Sequence, residues 1–208
     1  MQLVPLQLAI DHAPLPPRVA ACLANAQARI DRWFARPEHQ TGIGFIPSDY
    51  EQVWQALAAI VREHPDTRRL LEWGSGFGVI AGLGALLGLD AYGIEIEADL
   101  VTSADKLLAE LDLRATIVQG SFVPMEFVAD ELDDLETRTV LGQPDAYAEL
   151  DCDLDDFDLV FAYPWPTEEQ LYREIFRRGA DYGAILVTWS RQEGIRAHRK
   201  VASDGRPR

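Results

Sequence analysis

Apolar residues recur at helical spacing near the start of the chain: Val19, Cys22, Leu23, Ala26, Ile30, Trp33 and Phe34 fall on one stripe. A packed helix is therefore expected over residues 18–34, ended by Pro37. The preceding residues 1–15 are apolar but broken by Pro5 and Pro14, with Pro16 and Pro17 following, and read as an extended arm leading to the helix start. A loop is expected over 41–44. A second stripe then follows, formed by Val53, Trp54, Leu57, Ile60 and Val61, with Ser48 or Asp49 as its N-cap.

From residue 69 the period switches back and forth between two and 3.6. Strands are expected over 69–73, 91–95, 115–119, 157–162 and 184–189, and helices over 78–87, 99–111 and 167–178, the last capped by Thr167. Alternation of this kind predicts an α/β fold: an open, doubly wound, mostly parallel Rossmann-like sheet covered by helices on both faces. The tail after Trp189 has room for one more strand, 195–201, so the C-terminal edge is expected to be short. Residues 125–156 interrupt the alternation with an acidic insertion, read as a helix over 125–135 and looser chain beyond it. No linker or internal repeat divides the chain. Residues 1–44 are expected to form an N-terminal arm and helix packed on a domain of residues 45–208.

The length of 208 residues suits one domain with a sizeable core, and 48% hydrophobic with 25% charged residues is the balance of a globular chain. No apolar run approaches the ~20 residues that span a bilayer, and Met1-Gln2-Leu3-Val4-Pro5 lacks the basic flank of a signal peptide, so the expected location is the cytoplasm. Cys22 and Cys152 form no C-x-x-C pattern, and His12, His39, His64 and His198 are scattered. Neither a disulfide framework nor a metal site is expected. The net charge of −15 disfavours nucleic acid as a partner. Between Glu126 and Asp158 the only basic residue is Arg138, which makes this segment either a solvated insertion or a docking surface for a cationic partner.

The densest chemical signal is Leu70-Leu71-Glu72-Trp73-Gly74-Ser75-Gly76-Phe77-Gly78, an apolar strand running into an acidic, glycine-spaced turn before a helix. Alternating glycines let a backbone approach a ligand closely. The dinucleotide pattern G-x-G-x-x-G would need a third glycine where Val79 stands, and Glu72 would repel a pyrophosphate, so an NAD-type ligand is disfavoured. A cofactor with an amino-acid end fits better. A second strand ends Gly93-Ile94-Glu95, where a carboxylate can accept hydrogen bonds from both hydroxyls of a ribose.

Taken together, Glu72 to Gly78 and Gly93-Ile94-Glu95 resemble motifs I and II of the class I S-adenosylmethionine-dependent methyltransferases. The resemblance implies S-adenosyl-L-methionine as cofactor, with Glu72 accepting from the methionine ammonium and Gly74, Gly76 and Gly78 beneath the methionine and ribose. Glu95 would hold the ribose, and Ser75 and Ile96 belong to the same expected site. The acid usual at the third motif is missing from Gly120-Ser121-Phe122. Ser121 is expected to substitute through its hydroxyl or backbone, and Phe122 to lie against the adenine. At the fourth motif, Tyr163-Pro164-Trp165-Pro166 resembles the N-P-P-aromatic motif of amino-group methyltransferases, with tyrosine where asparagine or aspartate is usual. Tyr163 would orient an amine, and Trp165 would attract a cationic side chain through its ring face. Phe45-Ile46-Pro47-Ser48-Asp49-Tyr50 is similar to a segment of small protein lysine methyltransferases of the disruptor-of-telomeric-silencing type, which brings Ser48, Asp49 and Tyr50 into the cofactor set.

The expected function is methyl transfer to a nitrogen, with a lysine of a basic protein as the favoured acceptor. Two alternatives remain open at this stage. One is a small metabolite bound under an apolar lid of Trp33 and Phe34. The other is a noncatalytic cofactor-binding or interaction module, kept open by the unusual fourth motif.

Overall fold

A computed structural model describes residues 1–39, 44–128, 137–141 and 144–202. Its strands are β1 (Gln2–Pro5), β2 (Arg69–Trp73), β3 (Asp90–Glu95), β4 (Ala115–Gln119), β5 (Leu159–Ala162), β6 (Ile185–Ser190) and β7 (Gly194–Val201). They form one sheet in the order β1-β7-β6-β5-β2-β3-β4. β6, β5, β2, β3 and β4 run parallel, and β7 lies antiparallel between β6 and β1. The single C-terminal strand was expected, whereas the arm's role was not: β1 pairs with β7 from Gln2↔Val201 to Pro5↔His198 and covers its outer edge. An unpaired edge would expose a row of backbone donors and acceptors, so the arm completes the sheet.

The helices are α1 (Pro17–Phe34), α2 (Tyr50–Glu63), α3 (Val79–Leu86), α4 (Ala98–Glu110), α5 (Met125–Val128), α6 (Ala146–Leu150) and α7 (Glu169–Gly179). Side chains that alternate along the strands divide the core in two. Leu70, Leu159, Phe161, Ile185 and Val187 face α1, α2 and α3 with Val19, Val53, Leu57, Ile60 and Leu83. Leu71, Trp73, Val160, Ala162 and Leu186 face α7 and α6 with Tyr172, Ile175, Phe176 and Tyr147. Each fully buried large side chain in these layers contributes about 1.5–3 kcal/mol over its exposed state. No described helix is long and apolar enough to cross a membrane.

Two local expectations change. Thr167 does not cap α7: its φ is +76°, Glu168 is the N-cap, and no side-chain capping bond is made there. Of the helix expected over 125–135, α5 is the described part, and residues 129–136 lie outside the described residues. The stretch read as looser chain contains α6, whose N-cap Asp145 accepts from the Tyr147 and Ala148 amides, and Ala146 and Tyr147 are core residues. The insertion is thus partly built into the fold.

Candidate active site at the switch between β2 and β5

The chain leaves β2 toward β3 and β4 on one side and returns to β5 on the other, so the ends of β2 and β5 diverge and open a crevice. A cavity of about 430 Å³ lies there. Its walls are the ends of β2 (Trp73, Gly74), β3 (Ile94 to Glu97), β4 (Gly120, Ser121, Phe122) and β5 (Tyr163 to Pro166), closed by Gly44 to Ile46, Arg138 to Val140 and Tyr172. Of the expected site residues, Gly74, Glu95, Ile96, Ser121, Phe122, Tyr163 and Trp165 meet in this one cavity. Ser48, Asp49, Tyr50, Glu72, Ser75, Gly76 and Gly78 do not line it.

The reasons are local. Gly78, the N-cap of α3, offers no side chain, and the buried Glu72 supplies the missing acceptor by taking the Ala81 amide at 2.9 Å. Burial holds its carboxyl well above the ordinary 4.5, against the pull of that amide, and the Glu95 charge adds to the rise. The carboxylate expected to meet an ammonium group therefore caps a helix. Ser75 packs its side chain against Gly93, and its buried hydroxyl has no hydrogen-bond partner among the described residues. Asp49 caps α2 through the Gln52 amide at 3.1 Å and also holds the Gln52 side chain at 2.8 Å. Tyr50 is partly buried near Glu72, and desolvation raises its hydroxyl pKa.

Glu95 is buried at the cavity wall, accepting from the Gly76 amide at 2.7 Å and the Glu97 amide at 3.0 Å. Burial raises its pKa, while the same amides oppose the rise. The Ile96 amide also opposes the rise, and the roughly four lone-pair sites of the carboxylate still leave room for another donor. Gly74 has φ +68° and nothing within 4 Å of where a Cβ would stand, so it forms an open cradle in the wall. These two features fit a cofactor carrying a ribose and a backbone-hugging chain. Ser121, by contrast, donates its hydroxyl to Val140 O at 2.6 Å and its amide to Pro144 O at 2.8 Å. Both groups expected to replace the missing acid are engaged within the protein. The Phe122 ring stacks on Trp73 at 4.9 Å and packs on Tyr172.

The β5 end of the cavity holds the largest departure from expectation. Residues 138–140, at the returning end of the insertion, line the cavity there and are pinned by the buried Glu168. That carboxylate accepts from the Arg138 amide at 2.5 Å and from the Thr139 amide and hydroxyl at 3.3 and 2.6 Å. The Thr139 hydroxyl also lies 3.2 Å from the Tyr172 hydroxyl, whose pKa burial pushes up to about 12. Arg138 sets its guanidinium over Trp165, 5.2 Å from the ring centre, so the ring face expected to attract a cation already carries one from this chain. Tyr163 is held edge-on to Trp189 at 4.7 Å. Trp33 and Phe34 line no part of the cavity; they pack with Phe45 and Phe77 beside the glycine turn. The sequence reading missed Arg138, Glu168 and Tyr172. Only Arg138 left a trace, as the lone base in an acidic run.

No protein-family model matches the chain, and no curated protein matches it in sequence. Solved structures do. A methyltransferase from Geobacter sulfurreducens is 15% identical, with a TM-score of 0.55 over 91% of this chain and 93% of that one. An RNA methyltransferase from Salinibacter ruber, in complex with S-adenosyl-L-homocysteine, is 21% identical over 77% and 99% of the two chains, TM-score 0.48. An O-methyltransferase from Bacillus cereus, also in complex with S-adenosyl-L-homocysteine, is 15% identical over 85% and 67%, TM-score 0.49. Against three further matches this chain spans 66%, 47% and 55% of the partner's length. The seven-stranded, mostly parallel sheet with flanking helices is the Rossmann-like fold of methyltransferases.

Proposed function

We propose that the protein is an S-adenosylmethionine-dependent methyltransferase. The observation that carries the reading is the meeting, in one cavity at the β2/β5 switch, of the Gly74 cradle, the Glu95 carboxylate and the Tyr163-Pro164-Trp165-Pro166 strand end. When bound, S-adenosylmethionine supplies a sulfonium-activated methyl group. Gly74 admits the backbone-hugging part of the cofactor, and Glu95 accepts from ribose hydroxyls. Tyr163, fixed against Trp189, lines the approach of the acceptor's nucleophile, and Phe45, Phe122 and Trp165 exclude water. Alignment of this kind supplies up to ~7–11 kcal/mol of a bimolecular barrier.

A protein lysine as acceptor rests on the likeness around Phe45-Ile46-Pro47-Ser48 and on the acidic insertion. A small molecule fits the cavity better, because Arg138 occupies the Trp165 face that a lysine would need and repels a second cation. Calorimetric titration with S-adenosylmethionine, S-adenosylhomocysteine and NAD tests the cofactor. Saturable binding of the first two and none of NAD is expected; binding of NAD alone, or of none, overturns the assignment. Methyl transfer to candidate acceptors then separates an enzyme from a module that only binds.

A further inference from the structure

We infer that Arg138 is a specificity residue for an anionic acceptor: the site takes a small molecule in which an apolar body carries a carboxylate. The inference rests on the methyltransferase reading and names the substrate class of that site. Charge is distributed unevenly around the cavity. The carboxylates that line it, Glu95 and Glu97, stand at the end of β3, and Arg138 supplies the positive charge over Trp165 at the end of β5. β2 separates β3 from β5, so two strand spacings, about 10 Å of backbone, lie between the strand end that bears the acids and the one that carries Trp165. The acidic wall suits a diol, and the basic wall suits an oxyanion.

The position of Arg138 is built rather than incidental. Glu168 ties the backbone amides of Arg138 and Thr139, and Ser121 ties the carbonyl of Val140, so the strap is fixed at the arginine and over the two residues that follow it. The guanidinium itself has the Trp165 ring and no carboxylate partner among the described residues. Arg138 is exposed, and a planar guanidinium presents N–H donors in a fork that matches a carboxylate for bidentate contact. Ile46 and Val140, 37% and 44% exposed, are among the few large apolar side chains left open to solvent, and both line this cavity. They offer contact to an apolar body whose anionic end lies on Arg138.

The test measures binding by calorimetry for the wild type, Arg138→Gln and Arg138→Lys, with and without saturating S-adenosylhomocysteine. The probes are benzoate, 4-hydroxybenzoate, phenylacetate and indole-3-acetate, each against its primary amide, with phenethylamine as the cationic counterpart. At least one carboxylate is expected to bind the wild type about tenfold or more tighter than its amide. Arg138→Gln should bring that ratio close to one, and Arg138→Lys should keep part of it. S-adenosylhomocysteine affinity should stay within about twofold in all three proteins. The inference is overturned by no carboxylate binding, by amide or amine binding equally well, or by a ratio that survives Arg138→Gln. A large loss of S-adenosylhomocysteine affinity in Arg138→Gln would also overturn it, since the guanidinium would then serve the cofactor. If the wild type does not bind S-adenosylhomocysteine, the cofactor assignment fails on its own, and the carboxylate-to-amide ratio measured without it still decides the role of Arg138.

Discussion

The Phe45 ring lies where a Cβ on Gly76 would project. Gly76 also has φ +54°, so its lack of a side chain serves a protein contact and a backbone conformation together. Gly74, two residues earlier, has the same handedness but faces open cavity. Neighbouring glycines of one motif therefore do different work. Gly76→Ala should destabilise the fold by about 2–4 kcal/mol, from left-handed strain and overpacking. Urea denaturation measures this, and Phe45→Ala in the same chain should recover part of the loss.

Gly74→Ala should cost only about 1–2 kcal/mol of stability, the strain of a left-handed alanine. Its larger effect should be on S-adenosylhomocysteine affinity, since the added methyl group points into the open cradle. Calorimetry on the folded variant checks this, and wild-type affinity would place the cofactor away from Gly74.

The pH dependence of stability should carry the signature of Glu72. Its folded pKa lies above 4.5 because burial disfavours the charged form. The associated stability is fully present below the unfolded value and is lost as pH rises through the raised folded value. Within that window the wild type should lose up to about 1.4 kcal/mol per pH unit relative to Glu72→Gln, which has no proton to release. Urea midpoints of both proteins, from about pH 5 to pH 8, should diverge; parallel curves would mean an unperturbed carboxyl.

Tyr147 joins two cavity-wall residues, donating to Phe122 O at 3.0 Å and accepting from Trp73 Nε1 at 3.1 Å. Tyr147→Phe leaves both groups unpaired in the core and should cost about 1–3 kcal/mol. Denaturation gives the loss, and a shifted Trp73 fluorescence spectrum is the accompanying local sign.

Glu168→Ala removes one acceptor from three donors of the strap and should destabilise the protein by about 2–3 kcal/mol. Amide exchange at Arg138 and Thr139 should accelerate well beyond the global change. Equal acceleration everywhere would show that the strap is not a local unit.

The alternation of periods two and 3.6 determined the parallel strands and helices of the central domain, because each element buries a face that its own residues define. β2 (Arg69–Trp73) and β4 (Ala115–Gln119) occupy the ranges that their apolar runs predict. The glycine turn and Glu95 were legible for the same reason: backbone freedom and an acid at a strand end are local properties. Tertiary structure decided what these groups meet. Glu72 could face a ligand or a helix end, and only the approach of α3, whose Gly78 cap has no side chain, turns it toward the Ala81 amide. Trp165 could attract a foreign cation until residues distant in sequence bring Arg138 over its ring. β1 could be a loose arm until β7 offers an unpaired edge. Each of these outcomes depends on a partner distant in the chain, and the spacing of residues in one segment carries no record of it.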